Sequence, residues 1–172
     1  LNFNSGTGTL QLRAADGSSR ATVDVANNSS NTGAAITGEI DLSGHSSDLL
    51  ISTLTIGSKS AAAGNSTGTF KFGTGTLDVT SVILGKRVGL SSGTSAGTLS
   101  IAGGTASIGS IAMGDSNTAS GIANGTLTLS GVTGLSFTTG DGAADGTMVF
   151  TGTIASINAA LDGLTFAPTP DY

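Results

Sequence analysis

Five glycines, Gly8, Gly38, Gly68, Gly97 and Gly125, stand 30, 30, 29 and 28 residues apart, and each opens the same alternating segment. The segments are Gly8-Thr-Leu-Gln-Leu12, Gly38-Glu-Ile-Asp-Leu42, Gly68-Thr-Phe-Lys-Phe72, Gly97-Thr-Leu-Ser-Ile101 and Gly125-Thr-Leu-Thr-Leu129. A sustained period of about 30 residues marks arrays in which one unit cannot bury its apolar face alone and must stack on its neighbours.

Inside each unit the apolar residues alternate with period two, the signature of strands. The third unit reads Phe70/Phe72, Leu77/Val79 and Val82 to Leu84, and closes at Gly85. The second repeats this as Ile40/Leu42, Leu49/Ile51 and Leu54/Ile56 with Gly57, and the fourth as Leu99/Ile101, Ala106/Ile108 and Ile111/Met113 with Gly114. Three short strands joined by tight turns, then a polar loop, make a coil that can stack on the next copy. The loops are expected at Ser58–Thr67, Lys86–Ala96 and Asp115–Asn124. The fold class is therefore all-β, a parallel β-solenoid of about 30-residue coils over residues 1–130. Stacking predicts two interior files, Leu10/Ile40/Phe70/Leu99/Leu127 and Leu12/Leu42/Phe72/Ile101/Leu129. An antiparallel β-sandwich is the alternative, because short strands with frequent turn signals also describe that class. The 30-residue register favours the solenoid, since a sandwich does not need it.

Composition narrows the function classes. Charged residues make up 10% of the 172, with a net charge of −5 and six basic residues, so no cationic stripe exists to neutralise phosphates and nucleic acid is excluded as a partner. The surface must be built from Ser, Thr, Asn and Gly. Cysteine is absent, which removes disulfides and thiolate metal sites and is compatible with export. No apolar run reaches the length of a membrane-spanning helix. Leu1 is not an initiator methionine, which reads as a fragment or processed piece of a longer chain.

Units of the form Gly-Thr-Leu-x-Ile/Leu…Leu-x-Val…Ile-x-Leu-Gly resemble the β-helical passenger repeats of bacterial autotransporters over about residues 1–130. After Leu129 the register is lost. Ile154, Ile157 and Leu161 fall on one helical face, with Thr153 to cap the start and Gly163 to close the end, so one short helix is expected here within a β-rich segment. The order Thr151-Gly-Thr-Ile154, Ile157-Asn-Ala-Ala-Leu161, Gly163-Leu-Thr-Phe166 and Pro168 to Tyr172 resembles part of the cadherin-like, immunoglobulin-like repeats of giant RTX-type surface adhesins, over about residues 125–172. The domain itself is set at 131–172. Such a repeat would continue past Tyr172, so it is either truncated or borrows an edge from the solenoid. The two resemblances imply a cell-surface or extracellular bacterial protein engaged in adhesion or biofilm structure.

Candidate chemistry is sparse. His45 sits in Ser43-Gly-His-Ser-Ser-Asp48, but a Ser/His/Asp triad needs three converging side chains and an oxyanion hole, which neighbours in one turn do not supply. Polysaccharide cleavage on a β-helix needs close carboxylate pairs and aromatic platforms; with no Trp and one Tyr, nothing assembles a sugar cleft. The weak metal candidates are Asp141 and Asp145 in Gly140-Asp-Gly-Ala-Ala-Asp-Gly146, two carboxylates in a glycine-rich turn that suits calcium, although they fall short of a full loop of ligands. No other cofactor is expected. The Asn-x-Ser/Thr sites at Asn27, Asn28 and Asn65 read as turn formers. Lys86 and Arg87 are the one adjacent basic pair and mark their loop as a place to meet an acidic partner.

The reading is a non-catalytic structural or adhesive module, a stalk or spacer whose partners are neighbouring domains, copies of itself or a host or matrix ligand. A self-assembling fibre subunit, built through the open ends of the solenoid, is the alternative. A carbohydrate-active enzyme is the weakest reading.

Overall fold

The computed structural model describes residues 8–29, 33–60, 64–88, 93–116 and 121–130, and the backbone of 135–139 and 149–152. The chain divides into two compact units, Leu1–Gly131 and Val132–Tyr172. In the first lie β1 (Leu10–Leu12), β2 (Ala21–Asn28), β3 (Ile36–Lys59), β4 (Ser66–Arg87), β5 (Thr94–Ile101), β6 (Thr105–Met113) and β7 (Ile122–Leu129). Every pairing among them is parallel, which makes this unit a β-solenoid and not a sandwich. In the second, β8 (Leu135–Thr139) and β9 (Val149–Gly152) pair antiparallel. All described secondary structure is strand. The expected helix at 154–161 and the turn with Asp141 and Asp145 lie outside the described residues.

β3 and β4 each run around three sides of the coil, here called A, B and C. In β3 these are residues 36–42, 47–51 and 53–59, and they lie on 66–72, 75–79 and 81–87 of β4. The next coil splits the same path into β5 on side A and β6 on sides B and C. β7 adds side A of one more coil. At the other end β1 lies on residues 47–49 and β2 on 51–59, so the first coil contributes sides B and C.

Four of the five glycine segments stack as the period predicts: Gly38, Gly68, Gly97 and Gly125 pair in succession, carrying Ile40, Phe70, Leu99 and Leu127 in one file. The first segment does not join them. Leu10 pairs with Ser47 and Leu12 with Leu49, so β1 occupies side B and both leucines leave the expected files. Gly8 owes its place in the spacing to coincidence, and a Cβ there would meet nothing within 4 Å. Leu129 also departs from expectation: it stacks on Ile101 but, in the terminal coil, is 52% exposed.

The core fills with Leu42, Leu49, Ile51, Leu54, Ile56, Phe70, Phe72, Leu77, Val79, Val82, Leu84, Leu99 and Ile101, each at most 3% exposed. Alternation puts every second residue inside, and β-branched and leucine side chains stack at about 4.8 Å vertical spacing. Across this core the backbones of sides A and C come into direct contact. A Cβ on Gly68 would lie 2.5 Å from the Gly57 nitrogen and 2.7 Å from the Val25 oxygen, and one on Gly97 or Gly85 would overlap the backbone of Ile56 or Asn124. Those gaps admit hydrogen only. The corner on side C is a second column, Ala26, Gly57, Gly85 and Gly114, whose φ angles are 58°, 69°, 70° and 68°. Three of the four are glycine because that left-handed conformation crowds a Cβ.

The loops are shorter than expected. Ser58 pairs with Lys86 and Lys59 with Arg87, so strand runs two residues beyond the corner, and it resumes at Ser66, Thr94 and Ile122. Backbone hydrogen bonds seal the ends of the loops, with Ile36 N donating to Asn65 O at 2.9 Å and Val88 N to Lys59 O at 2.9 Å.

Phe70→Ala is expected to cost about 3–5 kcal/mol in urea unfolding, through lost transfer energy and a cavity, while Leu129→Ala costs below about 1 kcal/mol. The side C corner predicts opposite signs at equivalent positions. Ala26→Gly relieves a left-handed alanine and gains about 0.5–1 kcal/mol, whereas Gly85→Ala costs at least about 2 kcal/mol.

Candidate functional site

Among the described residues of the solenoid, polar or unsatisfied apolar groups gather in three places: its interior beside the side C corner, its ion-paired outer faces, and its first-coil end. At the corner, two serines point inward. The hydroxyls of Ser66 and Ser95 donate to the carbonyls of Ala26 and Gly57, and Ser95 Oγ also lies 2.7 Å from Lys86 O. Both serines are fully buried and stand two residues before a column glycine, so they share its inward parity. They tie side A to the corner carbonyls that the left-handed turn exposes.

Two residues after the corner, Asn28, Lys59, Arg87 and Ser116 form a polar column in register. The first three are at most 1% exposed. Asn28 Nδ2 donates to Ala34 O at 3.1 Å and Asn65 O at 3.0 Å, and Arg87 donates to Gly93 O at 2.6 Å. Gly121 lies against the guanidinium so closely that a Cβ would overlap it. Burial, and then the neighbouring Arg87 charge, push the Lys59 ammonium below its usual range. The expectation that Lys86 and Arg87 present a basic loop to an acidic partner is thereby corrected: Arg87 is inside, holding the loop, and Lys86 is only half-buried on a paired strand.

Outward positions carry cation–carboxylate contacts that span coils. Arg13 meets Asp48 at 2.6 Å, Arg20 grips Asp78 two coils away through contacts of 3.0 and 2.9 Å, and Lys71 bridges Glu39 and Asp41 at 3.0 Å each. These half-exposed pairs add little stability individually and mainly fix which coil lies over which. The His45 turn does not form a triad. Ser47 is buried and its hydroxyl donates to Thr74 O at 3.3 Å, Asp48 faces outward onto Arg13, and the His45 carbonyl accepts from Thr74 Oγ1 at 3.0 Å. Successive residues of a strand point to opposite faces, which separates Ser47 from Asp48.

At the first-coil end a cavity of about 380 Å³ opens, floored by Leu12, Val23, Ile40 and Phe70 and rimmed by Asp24, Glu39 and Asp41. It exists because side A of the coil below 36–42 is not supplied by β1 or β2. Among the described residues no three His, Cys, Asp or Glu side chains gather as a metal site. The rim carboxylates Glu39 and Asp41 are engaged by Lys71. The groups here suit apolar contact and strand pairing.

Asp41 is held at about 2 by the Ser43 hydroxyl at 2.6 Å, then by the Ser43 amide and by Lys71. Asp16 is likewise held at about 2, by the hydroxyl and amide of Ser19 and the amide of Ser18, which close the β1–β2 turn. Arg13 lowers Asp48. A carboxylate depressed in the folded state binds fewer protons there than when unfolded. The stability it contributes is therefore present above the unfolded value of 3.8 and is lost as pH falls towards about 2. Denaturant midpoints measured across this range should fall, and Asp41→Asn should flatten part of that slope while lowering stability at neutral pH.

Compared with known proteins, the chain matches no family model, no curated protein and no solved structure. The functional reading thus rests on the coil geometry and on the residues it exposes.

Proposed function

We propose that this chain is a non-catalytic structural module of a large bacterial extracellular or cell-surface protein, serving as a stalk or binding spacer. The observation that carries the reading is the parallel pairing from β3 through β7, which, apart from a register shift between Leu42 and Ser46, stacks like residues over like and adds about 4.8 Å per coil. Such an element converts chain length directly into reach. Its described outer face consists mainly of hydroxyls, amides and intramolecular ion pairs, a hydrated surface suited to standing between other parts. The resemblances to autotransporter β-helices and to cadherin-like adhesin repeats agree with an extracellular setting. Partners on this reading are neighbouring domains of the same protein and a host or matrix ligand, and Asp141 and Asp145 are the residues that would take calcium.

A spacer tolerates extra coils. Inserting four tandem copies of residues 66–94 after Thr94 should lengthen the molecule by about 19 Å in small-angle scattering, with a single melting transition at no lower temperature. Antibody against the chain should label intact source cells. A lengthened chain that collapses or fails to extend would contradict the spacer, and turnover of a polysaccharide by the purified protein would contradict the non-catalytic role.

A further inference from the structure

The two ends of the solenoid are staggered in complementary ways. At the first-coil end β1 and β2 supply sides B and C, leaving the outer edge of residues 36–42 on side A without a described strand. At the last-coil end β7 supplies side A, while the last described strand on sides B and C is β6. Among the described strands, one end lacks what the other has in surplus. We infer that the last-coil end of one molecule docks on the first-coil end of a second copy, so that β7 of one and β1 and β2 of the other together complete a shared coil. This rests on coil geometry alone and is independent of the extracellular reading.

Continuing the observed columns across the seam places chemically matched residues together. Leu127 and Leu129 fall on Ile40 and Leu42 of the second copy, Ile111 on Val23 and Met113 on Val25. Gly125 meets Gly38, Gly114 meets Ala26, and Ser116 meets Asn28. Several of the apolar residues concerned are uncovered: Met113 is 51% and Leu129 52% exposed at one end, and Leu12, Val23 and Ile40 line the open cavity at the other, while Leu42 and Val25 are already buried within their own coil. A slip of one residue would turn every one of these side chains to the wrong face, and a slip of two would take Gly125 off Gly38 and Gly114 off Ala26.

Charge allows the contact, and the described last-coil edge carries little of the usual protection. Residues 94–130 hold a single charged side chain, Asp115, and both prolines lie at 168 and 170. Edge strands that stay free are normally protected by charge, proline or bulges. The carboxylates at the opposite end, Glu39 and Asp41, would meet Thr126 and Thr128, hydroxyls in place of like charges. Because the two docking faces differ, the association is heterologous and propagates head to tail.

The absence of cysteine makes the test clean. Thr126→Cys in one preparation and Glu39→Cys in another would sit side by side at the seam, about 4.8 Å apart between Cα atoms, within disulfide reach. Mild oxidation of the mixture should give a covalent dimer, neither variant alone should, and Thr126→Cys with Asp41→Cys, displaced by about 6.6 Å along the strand, should not. Wild-type protein should sediment as concentration-dependent oligomers, and Met113→Lys, at an exposed position, should abolish them with unchanged circular dichroism. The inference is overturned by a wild-type monomer at every soluble concentration, which would mean that the chain's own terminal segments or another partner cover the ends. It is equally overturned by cross-linking that ignores register or by dimers from Thr126→Cys alone.

Discussion

The contact on which the whole solenoid depends is the approach of backbone to backbone across its interior, where side A meets the side C corner. At Gly68 against Gly57 and Val25, and again at Gly97 against Gly85 and Ile56, no side chain fits between the two walls. This sets the width of the coil on that side. The remaining cross-section must then be filled by residues of one size class, which is why Leu, Ile, Val and Phe recur at fixed positions and Trp is absent. Burial drives the stack, but the glycine contact decides its shape.

Polar chemistry inside the coil follows from the same geometry. Turning a corner in the left-handed conformation aims the Ala26 and Gly57 carbonyls inward, where they would cost energy unless satisfied. Ser66 and Ser95 meet that need from the opposite wall. Two residues on, Asn28 and Arg87 secure the returning loops through their contacts to Ala34, Asn65 and Gly93. Lys59 and Arg87, which look like surface features in the sequence, thus lie inside the coil.

Much of the fold is legible in the sequence because interior stacking repeats its demands every 28 to 30 residues. The Gly38, Gly68, Gly97 and Gly125 column, the three strand runs per coil and the corners Gly57, Gly85 and Gly114 all follow from that repetition. Gly8 misleads because Gly-Thr-Leu-x-Leu describes any alternating strand, and only three-dimensional contact assigns it to side B. The expected loops at Ser58–Thr67 and Lys86–Ala96 are longer than the real ones because a polar run in sequence does not show which residues point inward; the parity of Lys59 and Arg87 with the corner glycines, two residues earlier, is the signal that they do. Of the candidate sites, the His45 turn is separated by strand alternation, and the Asp141 and Asp145 turn lies outside the described residues. The sequence shows the open end only as an uncapped solenoid edge, since the cavity there depends on where β1 begins.

The most direct test of the parallel stack is a set of backbone proton contacts measured by nuclear magnetic resonance on the isotope-labelled chain. The account predicts amide-to-α contacts linking Ile40 with Phe70, Phe70 with Leu99 and Leu99 with Leu127, together with contacts between Gly57 and Ala96 across the interior. Close α-to-α contacts between successive runs of one coil, such as Phe70 to Phe72 with Leu77 to Val79, would mark antiparallel hairpins and contradict it.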